Sequence, residues 1–206
     1  MMHGDRPARA YTMRARADSM SRTRQEIVRR ATERLRGSPE PVTLVEIAAA
    51  AGVSRTTVYR HFRSITGLLD AVAADLLSRA SFEQLLAAVE WPDPVAALAE
   101  VTRIGCGIWA IDPDLVRNLL ALARLQAEAV PVIAQLEAGR VQVMERLVQR
   151  VDEAGALGAG LSRRDAVDLL IAATGFAGWD DIVTARARAP ATAAELIARM
   201  AVRAVT

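Results

Sequence analysis

Thr43-Leu44-Val45-Glu46-Ile47-Ala48-Ala49-Ala50-Ala51-Gly52-Val53-Ser54-Arg55-Thr56-Thr57-Val58-Tyr59-Arg60-His61-Phe62 is the stretch on which the fold turns. Thr43 stands three residues before Glu46, the spacing at which a hydroxyl and a carboxylate each accept a free backbone N–H of a helix's first turn. This predicts a short helix over 44–51 with Ile47, Ala48 and Ala51 inward. Gly52 ends it by supplying a positive φ that other residues resist. Ser54 caps a second helix over 55–62, whose apolar positions are Val58 and Phe62. Two short helices joined by about three residues, glycine first, compose a helix-turn-helix.

Outward from this core the pattern stays helical. Upstream, Ile27, Val28, Ala31 and Leu35 recur at helical spacing from Ser21 until Gly37 stops them. Residues 1–20 carry Arg6, Arg9, Arg14 and Arg16 with no sustained periodicity and read as a flexible basic arm. Downstream, a further helix is expected over 66–80, and Trp91-Pro92-Asp93-Pro94 marks a connection beyond it. Turn signals at Asp112-Pro113, Pro131, Gly155–Gly160 and Pro190 separate more helical stretches. The clearest long amphipathic helix is 131–154, with Ile133, Leu136, Val143, Met144, Leu147, Val151 and Ala154 on one face. No strand or internal repeat is legible. The expected fold is all-α: an arm (1–20), an N-terminal helix-turn-helix domain (21–66) and a helical bundle (67–206).

The run 43–62 closely resembles the DNA-binding signature of the TetR family of transcriptional regulators, through its Ala-Gly-Val-Ser turn and Tyr-x-His-Phe ending. Thr23-Arg24, Ile27, Ala31 and Leu35 are similar to that family's first helix, and Leu68-Leu69 to the start of its fourth. The resemblance covers about residues 21–75. It implies double-stranded DNA as a partner, with a recognition helix in the major groove and Thr43 against a phosphate. The side chains suit this role. Arg55 can offer a bidentate fork to guanine, the methyls of Thr56 and Thr57 can meet thymine, and Tyr59, Arg60 and His61 supply donors. One departure stands out: Ser64-Ile65-Thr66 lies where the family has Ser-Lys-Glu, so a phosphate-binding lysine is missing. That bears on affinity and salt dependence, with Arg63 or the arm as substitutes. It also leaves open a small-molecule-binding helical protein with a weakened DNA module.

Charge distribution agrees with a polyanion partner for the front of the chain. Residues 1–63 hold 13 arginines against 6 acids, a formal +7, whereas residues 64–206 hold 13 against 18, or −5. The supply of catalytic groups argues against an enzyme. There is no lysine for a Schiff base or phosphate loop, and the two histidines, His3 and His61, build no metal cluster or triad. Gly155–Gly160 matches no phosphate-loop pattern, and Asp180-Asp181 reads as a solvated acidic pair. No cofactor or metal is expected. The single Cys106 forms no internal disulfide, no signal peptide is legible, and the longest apolar stretches, Ile104–Ile111 and Leu169–Trp179, fall short of a membrane span. A cytoplasmic protein with no membrane partner is the expectation.

Beyond residue 80 only architecture can be read. The segment 166–179 holds one charge, Asp168, in fourteen residues. An all-round apolar helix must be buried, and the family pattern implies that it joins a last helix over 192–205 in a homodimer face. A two-fold dimer implies a palindromic operator. A pocket for a small-molecule effector is expected around residues 95–155, with Arg103, Cys106, Trp109 and Met144 as candidates for combining apolar bulk with polar handles.

Overall fold

The computed structural model describes residues 6–206, with side chains from Asp18 onward. Among these residues the chain forms α1 (Arg6–Gly37), α2 (Leu44–Ala50), α3 (Arg55–Phe62), α4 (Ile65–Ser78), α5 (Phe82–Val89), α6 (Pro94–Ile111), α7 (Pro113–Leu122), α8 (Val130–Glu153), α9 (Arg163–Ala173), α10 (Phe176–Asp180) and α11 (Pro190–Val205). A 3-10 turn, Ala127–Ala129, precedes α8, and a π turn, Asp181–Ala185, follows α10. No strand occurs among the described residues.

The punctuation seen in the sequence acts through side chains. Asp93 accepts the N–H groups of Val95 and Ala96 at 2.9 and 3.1 Å, with Pro94 in the first turn of α6. Asp112 likewise caps α7 ahead of Pro113. A proline there forfeits no hydrogen bond, because first-turn N–H groups have no helical partner. Gly155 (φ 66°) closes α8 as a positive-φ stop.

Two expectations need correction, and one helix is new. The flexible arm is helical from Arg6 onward, because α1 runs back through Ala- and Arg-rich residues that propagate a helix once it is nucleated; residues 1–5 lie outside the described residues. The short helix α5 was not legible as an element. The segment 166–179 is two helices, broken at Thr174-Gly175 between α9 and α10. In it Ala166, Leu170, Phe176 and Trp179 are buried, while Leu169 and Ala172 face outward.

Two apolar cores hold the chain. One runs from Ile27, Leu35, Val58, Phe62, Leu68 and Val72 into Leu115, Leu119, Trp179 and Ile197, joining the first four helices to α7, α10 and α11. The other gathers Leu85, Leu98, Val101, Leu147, Val148, Leu170 and Val205 from α5, α6, α8, α9 and α11. Counted from Pro94 to Ile111, α6 is long and apolar enough to cross a membrane by length and composition. It carries Glu100 and Arg103 on its outer side and buries Ala97, Leu98 and Val101 against neighbouring helices.

Candidate functional site

The helix-turn-helix is assembled by local bonds. Thr43 Oγ1 accepts the N–H of Glu46 at 3.2 Å and Glu46 Oε2 accepts that of Thr43 at 2.8 Å, closing the capping box. The Thr43 N–H and the Thr43 hydroxyl, both donating to Glu46 Oε2, hold the Glu46 carboxyl below its ordinary pKa. Ala51 closes α2, and Gly52 turns the chain at φ 65°. Ser54 Oγ accepts the Thr57 N–H at 3.1 Å and starts α3. Ser64 does the same for Gly67 at the start of α4, also at 3.1 Å.

Two faces of α3 result. Val58 is fully buried and Phe62 nearly so, as their apolar spacing predicts. Arg55, Thr56, Tyr59 and Arg60 are exposed, and Tyr59 stands 60% accessible with no partner packed over it. Thr57 is half-buried and its hydroxyl is shared with Ser54 at 2.9 Å. His61 is half-buried too, with Nε2 closed off from solvent and unpartnered. Burial, then the charges of Arg60 and Arg24, lowers its pKa and keeps the ring neutral near pH 7. Arg24, on α1, lies 5.0 Å over the Phe62 ring, a placement that only the packing of α1 on α3 reveals. Ile65, in the place of the missing lysine, is half-buried against the first core.

Polar bonds tie this head to the rest. The buried Asp112 receives Arg36 (from Nε at 2.8 Å) and Arg79 at 3.5 Å. Burial raises the Asp112 pKa, but the Arg36 hydrogen bond and charge, with Leu115 N–H and Arg79, outweigh it and leave the carboxyl below its ordinary value. Asn118 Nδ2 donates to the carbonyls of Leu35 and Arg36 at 2.7 and 2.9 Å, ending α1 against α7. Gln126 grips Val42 at both backbone groups, accepting its N–H at 3.0 Å and donating to its carbonyl at 3.1 Å. Thr66 donates to the Glu128 carbonyl at 3.1 Å.

Below the head lies a cavity of about 340 Å³ between α4, α6, α7 and α8. Of the four candidates, Cys106, Trp109 and Met144 line it and Arg103 does not. Arg103 lies one position, about 100°, round the helix from Thr102 and turns outward to pair with Glu100 and, at 2.9 Å, with Glu195. The cation at the cavity is instead Arg140 of α8. Ile133, Leu136 and Val143, from the apolar face of α8, are only partly buried and line this space. Burial pushes the Cys106 thiol up to about 12, so it remains protonated. Asp180 is bound by Arg117 at 2.8 Å, and no cluster of three or more metal-ligating side chains occurs among the described residues.

Residues 36–72, spanning the helix-turn-helix, match the family described as bacterial regulatory proteins, tetR family. The whole fold resembles that of NalD, described as the secondary repressor of the MexAB-OprM multidrug efflux pump in Pseudomonas aeruginosa, with 25% identity over 92% of this chain and 98% of that one (TM-score 0.72). It also resembles FadR from Bacillus subtilis, solved in complex with stearoyl-CoA, with 17% identity over 88% of this chain and 99% of that one (TM-score 0.70). A TetR transcription regulator from Haloarcula marismortui shares the fold at 17% identity, over 90% of this chain and 98% of that one (TM-score 0.66). No curated protein sequence matches the chain.

Proposed function

We propose that the chain is a regulator of the TetR family, a cytoplasmic homodimeric repressor released from a palindromic operator by a small molecule. The observation that carries this reading is α3 itself, anchored by Val58 and Phe62 and presenting Arg55, Thr56, Tyr59 and Arg60 together to solvent. Arg55 and Thr56, in its first turn, meet base edges; Tyr59, Arg60 and the capped start of α2 at Thr43 hold phosphates. Thr57 contributes its methyl, its hydroxyl being engaged, and His61 acts mainly as packing beneath the contact face.

The outward faces of α9 and α11, with Leu169 and Met200 exposed at 43% and 48%, supply the dimer surface. Helix α4 couples the two ends: its first turn packs under α3, and Ala73, Leu76 and Leu77 further along line the cavity. An effector acts only if it binds one spacing of the two heads better than the other.

The test is a fluorescence-anisotropy titration on DNA from the gene's own upstream region, against scrambled DNA, at several salt concentrations. Tight binding to the native fragment alone, weakening steeply with salt, is expected. Replacing Tyr59 and Arg60 together by alanine should cost about a hundredfold or more in specific affinity without changing the oligomeric state. Unchanged affinity in that variant would refute the contact assignment.

A further inference from the structure

The cavity presents more chemistry than its size. Thr102, 1% exposed, lines it, and its Oγ1 has no hydrogen-bond partner. The other buried threonine on this lining shows what it could have done instead: Thr174 Oγ1 donates to the carbonyl of Leu170, four residues earlier, at 2.7 Å. Thr102 forgoes the equivalent bond, and a hydroxyl shut away from water without a partner is costly unless something arrives to meet it. One turn further along α6, Gly105 also lines the cavity, and a Cβ built on it would touch nothing within 4 Å. A helix-interior glycine facing open space keeps room that any side chain would take.

The charge at the wall is already spent. Arg140 gives Nε at 3.2 Å and Nη2 at 2.7 Å to Glu137, and Nη1 to the Ile171 carbonyl at 3.1 Å and Thr174 Oγ1 at 2.9 Å. Four of its five N–H groups are thus engaged, one partner being a carboxylate of opposite charge. The Cys106 thiol stays neutral. An anionic ligand entering here would lose its hydration without gaining a free cation. Resting on the effector-site reading above, we infer that the cavity takes a small uncharged apolar molecule bearing one hydrogen-bonding group that meets Thr102, and that it discriminates against carboxylates, sulfonates and acyl thioesters of charged carriers.

Two fluorescent dyes sharing one skeleton test this: neutral N-phenylnaphthylamine and its sulfonated analogue anilinonaphthalene sulfonate, titrated into the full-length protein. The neutral dye should bind at least about tenfold tighter. Gly105→Leu, which fills the space, should abolish its binding, and the near-isosteric Thr102→Val should weaken it about threefold to tenfold. Glu137→Gln, which releases Arg140, should narrow the gap by strengthening the sulfonate. A sulfonate that binds the unmodified protein as well as the neutral dye overturns the ligand class but leaves the cavity as an effector site. If neither dye binds, or if both bind a folded Gly105→Leu protein unchanged, the cavity is no site, and the effector half of the proposed function falls with it. The DNA titration above stands independently of either result.

Discussion

The helix-turn-helix head and the cavity-bearing body treat glycine in opposite ways, and the contrast shows how differently they are built. In the head, Gly67 sits where a Cβ would approach the Phe62 carbonyl oxygen to 2.3 Å, so the start of α4 can close on the end of α3 only because the side chain is absent. In the body, Gly105 has empty space beside it. The head is a close-packed arrangement of local caps, whose stability depends on contacts three or four residues apart. The body is a frame around a void, held by bonds between helices distant in sequence. On the proposed function, tightness serves a surface that presents side chains at fixed positions to DNA, and slack serves a volume that admits a guest.

The largest expected effect is from Gly67→Ala. The atom it would meet is backbone and cannot swing aside, so about 2–3 kcal/mol of stability should be lost, measured by denaturant unfolding. A neutral result would mean that the head is looser than its packing suggests. Next comes the junction between the regions. Asp112→Asn should cost about 1–2 kcal/mol, less than a fully buried pair, because Arg36 and Arg79 are 44% and 39% exposed and solvent screens them. The folded Asp112 carboxyl lies below its ordinary 3.8, so its contribution is complete above that pH and is lost as pH falls through the lowered folded value. The stability difference between the two proteins should therefore close in acid and be constant near neutrality. If it persists unchanged once acid has protonated the Asp112 carboxyl in the folded protein, the ion pair is not its source.

Smaller effects sharpen the comparison further. Ser54→Ala should remove about 1 kcal/mol, because it leaves the Thr57 N–H without its cap. Hydrogen exchange should show that loss concentrated in α3 rather than in α6 or α8. Gly105→Ala should have the opposite sign, a gain somewhat under about 1 kcal/mol from helix propensity with no clash. Two glycine-to-alanine changes that both destabilise would erase the distinction between a packed head and an open body.

What the sequence alone determined is the head. The caps at Thr43 and Ser54, the turn at Gly52 and the inward Val58 and Phe62 are all consequences of spacing within one or two turns. Such spacing is legible because the partners lie on the same short piece of chain. The all-α class and the helix starts at Asp93-Pro94 and Asp112-Pro113 were readable for the same reason. The tertiary structure decided everything that depends on rotation about a helix axis relative to a distant neighbour. It turned Arg103 outward to Glu195 and Arg140 inward to the cavity, left Thr102 unpartnered, placed Arg24 over Phe62, and bent the chain at Gly175. A periodic apolar stripe specifies that a face is covered, but not whether its cover is another helix or a space. That difference is set by the volumes of side chains that meet only after the chain has folded.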